Sequence, residues 1–277
     1  MAEADTVVRA EDPLDLTFSE AELDAHREHI TDFVAGQLDA AGVDRAVIGL
    51  SGGIDSTLTS HLAVEALGED AVHGLVMPSE VNRAENMSDA ERVADELLGI
   101  EYDVVEINPL VDAFLKAYPD ADGDQMAVGN LRVRCRAVLN YLVANHEDAL
   151  VLGTGNRSEA LVGYYTKYGD GAVDCHPIAP LYKQQVRQLA SHVGVPDDLA
   201  EKTASAEMWS GQTDAAEMGM DYDTLDSILA LHVDGGVPKS ATAAHIGVPE
   251  RVVEQVVEMH ETSAHKRQMP PGPDPLY

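Results

Sequence analysis

Two cysteines in 277 residues leave no room for a disulfide framework. Neither Cys135 nor Cys175 has zinc-site spacing, so both read as free thiols. Lysine is also scarce, with only Lys116, Lys167, Lys183, Lys202, Lys239 and Lys266. Against 49 acidic residues there are 18 basic ones, a formal net charge of −31 at pH 7. Such a surface repels nucleic acid and anionic membrane, which excludes both as partners. No apolar run reaches the roughly 18 residues that a bilayer span needs. The opening stretch MAEADTVVRAEDPLD is acidic and lacks the apolar core of a secretory signal. These absences predict a cytoplasmic protein. The acidity further suggests a cytosol of high ionic strength, as in halophiles, where the Debye length falls to about 3 Å at 1 M salt.

The hydrophobic content, 45%, is that of an ordinary globular chain able to bury a full core. Residues 1–18 are acidic and read as a frayed or loosely docked end; 19–277 reads as one domain. SEAE, from Ser19, forms a capping box that opens a helix to about Leu38. Strand-like and helical stretches then alternate. RAVIGL (45–50), AVHGLVMP (71–78), YDVVEI (102–107) and ALVLGT (149–154) are apolar and short. Between them, 56–67, 86–99, 109–118 and 129–146 carry helical spacing. This alternation predicts an α/β, doubly wound parallel sheet of about five strands in the order 3-2-1-4-5. CHPIAPL (175–181) supplies the short fifth strand, and extra helices follow at the C-terminal end. In such sheets ligands bind beyond the carboxyl ends of the strands, at the switch in strand order. SGGIDS after the first strand and GTGNRSE after the fourth would face one crevice there.

SGGIDS suits a phosphate cradle. Adjacent glycines let main-chain N–H groups converge, the helix that follows adds partial positive charge, and Ser51 and Ser56 add hydroxyls. It lacks the G-K-[ST] of a Walker A loop; Asp55 at that point would instead hold Mg²⁺ against the phosphates. Two other readings use the same residues. GLSGG fits the G-x-S-x-G elbow of α/β-hydrolases, with Ser51 as nucleophile, although that fold builds several strands before its elbow. A glycine turn that binds nothing is the plainer alternative.

The chain resembles the N-type ATP pyrophosphatases through SGGIDS, and their NAD synthetase branch through GNLRVRCR, GTGNRSE, YYTKYGDGAVD, SAEMWSGQTDAAEMG and HKRQMPP, from about residue 20 to 271. The resemblance implies that ATP adenylates the nicotinate carboxylate of deamido-NAD, that pyrophosphate leaves, and that ammonia then attacks the acyl-adenylate to give NAD. By position, Gly49, Leu50, Ser51, Gly52, Gly53, Ile54, Asp55 and Ser56 correspond to the ATP loop. Asp55 and Glu159 correspond to Mg²⁺ ligands, and Thr154, Lys183 and Ser205 to ATP contacts. Arg134, Lys167, Asp174, His265 and Lys266 correspond to deamido-NAD contacts; Asp55 and Lys183 carry the catalytic expectation. Family members are homodimers, with the helices after residue 128 as candidates for the contact. Glutamine-dependent relatives carry an added amidase domain. The roughly 40 residues before the first strand are too few for one, so free ammonia or a separate subunit is implied.

The cations that this chain otherwise avoids gather in these motifs, as two polyanionic substrates require. Within RVRCR, Arg132 and Arg136 share a helix face and Arg134 points elsewhere. KYGDG (167–171) and residues 203–218, with the sole tryptophan Trp209, read as mobile covers that keep water from the adenylate. Other classes fit less well. A thiolating enzyme would need paired cysteines. A helix-turn-helix at 240–260 would present the acidic stripe Glu250, Glu254, Glu258 to DNA.

Overall fold

The computed structural model describes residues 7–81, 84–205, 208–209 and 211–276; of residues 84–87 only the backbone is described. The chain begins its regular structure with helix α1, Glu20–Ala41, whose N-terminus is closed by the expected capping box between Ser19 and Glu22. Four strands follow: β1 (Arg45–Leu50), β2 (Val72–Val76), β3 (Glu101–Val104) and β4 (Ala149–Leu152). All pair in parallel, in the order β3-β2-β1-β4, with Ile48 level with Gly74 on one side and with Leu152 on the other. Helices connect them: α2 (Ile54–Leu67), α3 (Ala84–Arg92), α4 (Asn108–Ala117) and α5 (Gln125–Glu147). Helix α3 runs on in wide π-type turns over Val93–Leu98.

Alternation of side chains across the strands divides the apolar residues between two layers. Ala46 and Ile48 face Ile30, Val34, Leu58 and Leu62 of α1 and α2. Val47, Leu75 and Val151 face Val111 of α4 and Val128 and Cys135 of α5. β1 and β2 are covered on both faces, which is why they read as unbroken apolar runs. β3 is an exposed edge and carries the charged Glu101 and Asp103, a pattern that discourages further pairing. Its strand ends at Val104 rather than at residue 107, although Val105 and Ile107 still donate to the carbonyls of Val76 and Pro78.

The expected fifth strand is reduced to a single parallel bridge between Leu152 and Cys175 beside β4. Pro177 and Pro180 lack the N–H groups that a longer ladder would need, and residues 177–180 form a turn. Helix α6 (Arg157–Val162) lies between β4 and this bridge, and past it come α7 (Lys183–His192), α8 (Asp197–Ala200), α9 (Asp214–Met218), α10 (Tyr222–Ile228), α11 (Lys239–Ile246) and α12 (Glu250–Thr262). The last three share a core of their own with Leu225, Ile228, Ile246, Val252, Val253 and Val256. Glu250, Glu254 and Glu258 lie on the exposed face of α12.

The segment before Ser19 is docked from Val8 onward. Val8 bridges to Met220; Ala10 N–H donates to Thr224 Oγ1 and Leu14 N–H to Ser227 Oγ, both at 2.8 Å. Residues 1–6, the remainder of the expected frayed end, lie outside the described residues. Among the described residues no helix is long and apolar enough to cross a membrane.

Candidate active site

The carboxyl ends of β1 and β4 open into a cavity of about 470 Å³. Its floor is the loop from Gly49 to Ser56. Gly52 has φ +72°, a left-handed conformation that favours glycine. Gly53 caps α2 without a side-chain hydrogen bond, so the first N–H groups of a 14-residue helix remain directed into the cleft. The Ser51 and Ser56 hydroxyls lie 3.1 Å apart, and Ser56 Oγ also donates to the Gly53 carbonyl at 3.0 Å. Main-chain N–H groups and two hydroxyls that converge in this way suit an anion. The loop after β4 lies opposite. There Gly153 passes so close to the His176 ring that a Cβ would sit 2.5 Å from its Nδ1.

A buried ionic network crosses the cleft. Lys183, at the start of α7, is 2% exposed, and its Nζ lies 2.5 Å from Asp55 Oδ2 and 3.2 Å from Glu159 Oε1. Asn156 Nδ2 donates to the other Asp55 oxygen at 2.8 Å, while Asn156 Oδ1 caps α6 through the Glu159 N–H. Asp214, 4% exposed, accepts from Tyr222 at 2.8 Å and from Tyr164 at 3.1 Å. Tyr222 also reaches Glu159 at 3.3 Å, and its ring lies 5.0 Å beneath the Lys183 ammonium.

Burial opposes the charge on Lys183, yet Asp55 and Glu159 outweigh it and raise the ammonium above its ordinary range. Burial pushes Glu159 up to about 7; Lys183 pulls the other way, while Asp55 and Asp214 add to the rise. Asp214 is also raised, chiefly by burial. Counted as ionised, the three carboxylates outnumber the one ammonium. That excess of hard oxygen donors beside an anion cradle matches a divalent cation such as Mg²⁺, which takes one or two carboxylates and completes its shell with phosphate oxygens. Among the described residues no three acidic, histidine or cysteine side chains form a ready metal cage.

The structure brings together, around this one cavity, Gly49 to Ser56, Thr154, Glu159, Lys183 and Ser205. A second cavity of about 440 Å³ adjoins it across Thr154, Glu159 and Asp170, and takes in Lys167 and Lys266. Arg134, Asp174 and His265 line neither cavity. Arg134 donates to the Lys167 carbonyl at 3.2 Å, and Lys167 Nζ to the His265 carbonyl at 2.6 Å, so these three form a linked group at the rim. Asp174 accepts from the Val151 N–H at 2.7 Å and from Tyr141 at 3.1 Å. The arginines of α5 divide as their spacing predicts. Arg136 lines the first cavity, Arg132 pairs with Glu80 at 2.7 Å, and Arg134 faces the rim.

KYGDG, read from sequence as a mobile cover, is a tight turn closed on Asp170, which accepts from the Thr166 N–H at 2.6 Å. Burial raises that carboxyl to about 6 against the pull of its main-chain hydrogen bonds. Of the second expected cover, residues 206–207 and 210 lie outside the described residues; Met208 and Trp209 pack on Gly129 of α5. Asp214, Asn156, Tyr222 and Lys202 belong to the cleft but were not singled out by the sequence. Asn156 and Asp214 sit inside stretches already notable for their motifs, which was the available signal. Cys135 and Cys175 are both buried and free, and burial raises both thiols, Cys175 to about 11, away from the thiolate that thiol chemistry needs.

A family profile described as NAD synthase matches residues 26–270. An NH(3)-dependent NAD(+) synthetase of Halobacterium salinarum is 60% identical over 99% of this chain and 100% of its own length. Its counterpart in Hyperthermus butylicus is 48% identical over 89% of each chain. Among solved structures, an NMN synthetase from Francisella tularensis superposes with a TM-score of 0.80 at 32% identity, covering 93% of this chain and 100% of that one. An NH3-dependent NAD synthetase from Campylobacter jejuni does so with a TM-score of 0.77 at 27% identity and the same coverage. By its profile, its relatives and the parallel sheet that places this cleft, the chain belongs to the NAD synthase family of enzymes.

Proposed function

We propose that this chain joins ammonia to the nicotinate carboxylate of deamido-NAD at the expense of ATP. The observation that carries the reading is the uncapped start of α2 beside the Asp55–Lys183–Glu159 network, in a cleft shared with Thr154 and Ser205. The Gly49–Ser56 loop takes the β- and γ-phosphates on its N–H groups. The substrate carboxylate attacks the α-phosphorus, the bond to the β-bridging oxygen breaks, and its electron pair leaves with pyrophosphate. Lys183 and the helix N-terminus offset the charge that builds on that oxygen. Asp55 and Glu159 would hold Mg²⁺, which supplies Lewis-acid neutralisation of the phosphates. Ammonia then attacks the adenylated carboxyl carbon, AMP departs, and one proton is lost from nitrogen. Lys167, Lys266 and Arg134 supply cations at the deamido-NAD end, with His265 and Asp174 beside them.

The working unit is proposed to be a homodimer. Met126, Val138 and Leu142 on α5 and Leu110 and Phe114 on α4 are large apolar side chains left exposed on two helices that pack on each other. A partner covering them would bring a second chain against the helix that bears Arg134. The acidic surface fits a salt-rich cytoplasm and gives no purchase to nucleic acid.

A second reading has a specific basis in the likeness to the Francisella NMN synthetase: the amidated substrate could be the mononucleotide. The 60% identity to an NAD(+) synthetase over nearly the whole chain favours the dinucleotide. Purified chain with ATP, Mg²⁺ and ammonium, in molar KCl, should form NAD from deamido-NAD with equimolar pyrophosphate. Faster turnover of nicotinate mononucleotide would establish the second reading, and no pyrophosphate from either substrate would overturn both.

A further inference from the structure

Three of the six lysines are taken up by the reading above, and Lys116 and Lys239 lie on the outer helices. Lys202 remains, and it is not on the surface. Its side chain is 18% exposed and lines the first cavity together with the Gly49–Ser56 loop. The ammonium is paired with Asp89 of α3, and it also lies 3.4 Å from the carbonyl oxygen of Gly52, in the middle of the anion-binding turn. In a chain that carries 49 acids and so few lysines, a cation at this point has no surface task.

We propose that Lys202 is a second ammonium for the leaving pyrophosphate, held at the mouth of the loop by Asp89 until the phosphates arrive. The proposal rests on the function proposed above. Lys183 is held with Asp55 and Glu159, and in that reading it serves the breaking bond at the α-phosphorus. Lys202 approaches from the side of Gly52, where the outer phosphates lie in that reading. As the bond between the α-phosphorus and the bridging oxygen breaks, negative charge grows on the pyrophosphate. Lys202 donates N–H bonds to it and transfers no proton. The ammonium exchanges one carboxylate, Asp89, for a phosphoryl group of higher charge, and Asp89 turns to solvent ions. The segment that bears it is held at its far end by the Asp214 N–H to Ala204 carbonyl bond, 3.1 Å, and by Ser205 Oγ to the Gln212 carbonyl, 2.8 Å.

The test is binding of inorganic pyrophosphate with Mg²⁺, by calorimetry in molar KCl, alongside steady-state pyrophosphate release. Lys202→Met should weaken pyrophosphate binding by about ten- to a hundredfold, the worth of a charge-assisted hydrogen bond. It should lower kcat while KM for deamido-NAD holds, and Lys202→Arg should recover part of both. Asp89→Asn frees the ammonium and should bind pyrophosphate at least as tightly as the wild type. A purely structural brace would behave otherwise, with Asp89→Asn and Lys202→Met losing activity alike and neither changing pyrophosphate affinity. Unchanged pyrophosphate binding in Lys202→Met, or equal losses in the two variants, overturns the proposal while wild-type NAD formation keeps the function intact. Wild type that neither binds pyrophosphate nor makes NAD overturns both. If Lys202→Met fails to fold, the contrast between Lys202→Arg and Asp89→Asn decides.

Discussion

Replacing Lys183 with methionine isolates the electrostatics of the cleft, because the stem keeps nearly its volume and only the ammonium goes. The ammonium is within 2.5 Å of Asp55 and 3.2 Å of Glu159, in a side chain 2% exposed. Its loss leaves Asp55, Glu159 and Asp214 facing one another without a cation. Breaking a buried pair of this kind costs about 3–5 kcal/mol. For a chain of this length each kcal/mol corresponds to about 2–4 °C, so the melting temperature should fall by about 10 °C. Two additions make the reasoning specific. Adding Asp214→Asn removes one of the three carboxylates and should return part of the loss. Mg²⁺ should raise the melting temperature of Lys183→Met by more than that of the wild type, since it meets carboxylates no longer neutralised from within. The assay is thermal unfolding by circular dichroism, with and without MgCl₂, at constant high KCl. A Lys183→Met protein that melts within about 2 °C of wild type, and ignores Mg²⁺, would show that the ammonium does not balance these acids.

Asp226, buried and raised to about 7 chiefly by that burial, accepts from Ser158 at 2.5 Å and from the Gln184 N–H at 3.0 Å. An unfolded aspartate ionises near pH 4, so between there and about 7 the fold holds a proton that the unfolded chain has shed, and this group removes stability as pH rises through that window. Asp226→Asn should flatten that fall and stabilise the protein at pH 8 by on the order of a few kcal/mol, read as the difference in melting temperature from wild type at each pH; equal destabilisation at both ends of the range would refute it. Unfolding should set in as KCl is lowered from molar to millimolar, where the Debye length lengthens to about 30 Å at 0.01 M and the net charge of −31 is no longer screened; an unchanged circular dichroism spectrum at low salt would remove the halophilic argument. Val138→Asp together with Leu142→Asp should convert a dimer to a monomer by light scattering, and a wild type that is already monomeric would refute the proposed contact.

Features set by neighbours in the chain were legible in the sequence. The Ser19–Glu22 cap, the strand–helix alternation and the helical spacing of Arg132 and Arg136 all depend on residues a few positions apart. The turn at 49–56 was legible for the same reason, because glycines between a strand and a helix mark a tight turn whose N–H groups can converge. What escaped depends on contacts across the fold. Tyr222 reaches Glu159, with Asp214 on the same hydroxyl, only because α10 packs against α6. Asp170 is fixed by a turn that KYGDG forms through its own carboxylate, and composition alone suggests mobility there. The fifth strand was legible as an extended stretch, but its prolines confine it to one bridge. The docked residues 8–18 mix acidic with apolar side chains in no helical or strand period, and their partners Thr224 and Ser227 are more than 200 positions away.

That leading stretch links two distant parts of the molecule. It is bonded to Thr224 and Ser227, on the same short helix that supplies Tyr222 and Asp226, and Phe18 donates its N–H to Gln188 of α7, whose first residue is Lys183. Shortening the protein to Ser19 would thus loosen the support behind the chemistry rather than trim a loose end. A shortened enzyme would fail through misplaced tyrosine and lysine heads, with every residue that touches a substrate still present.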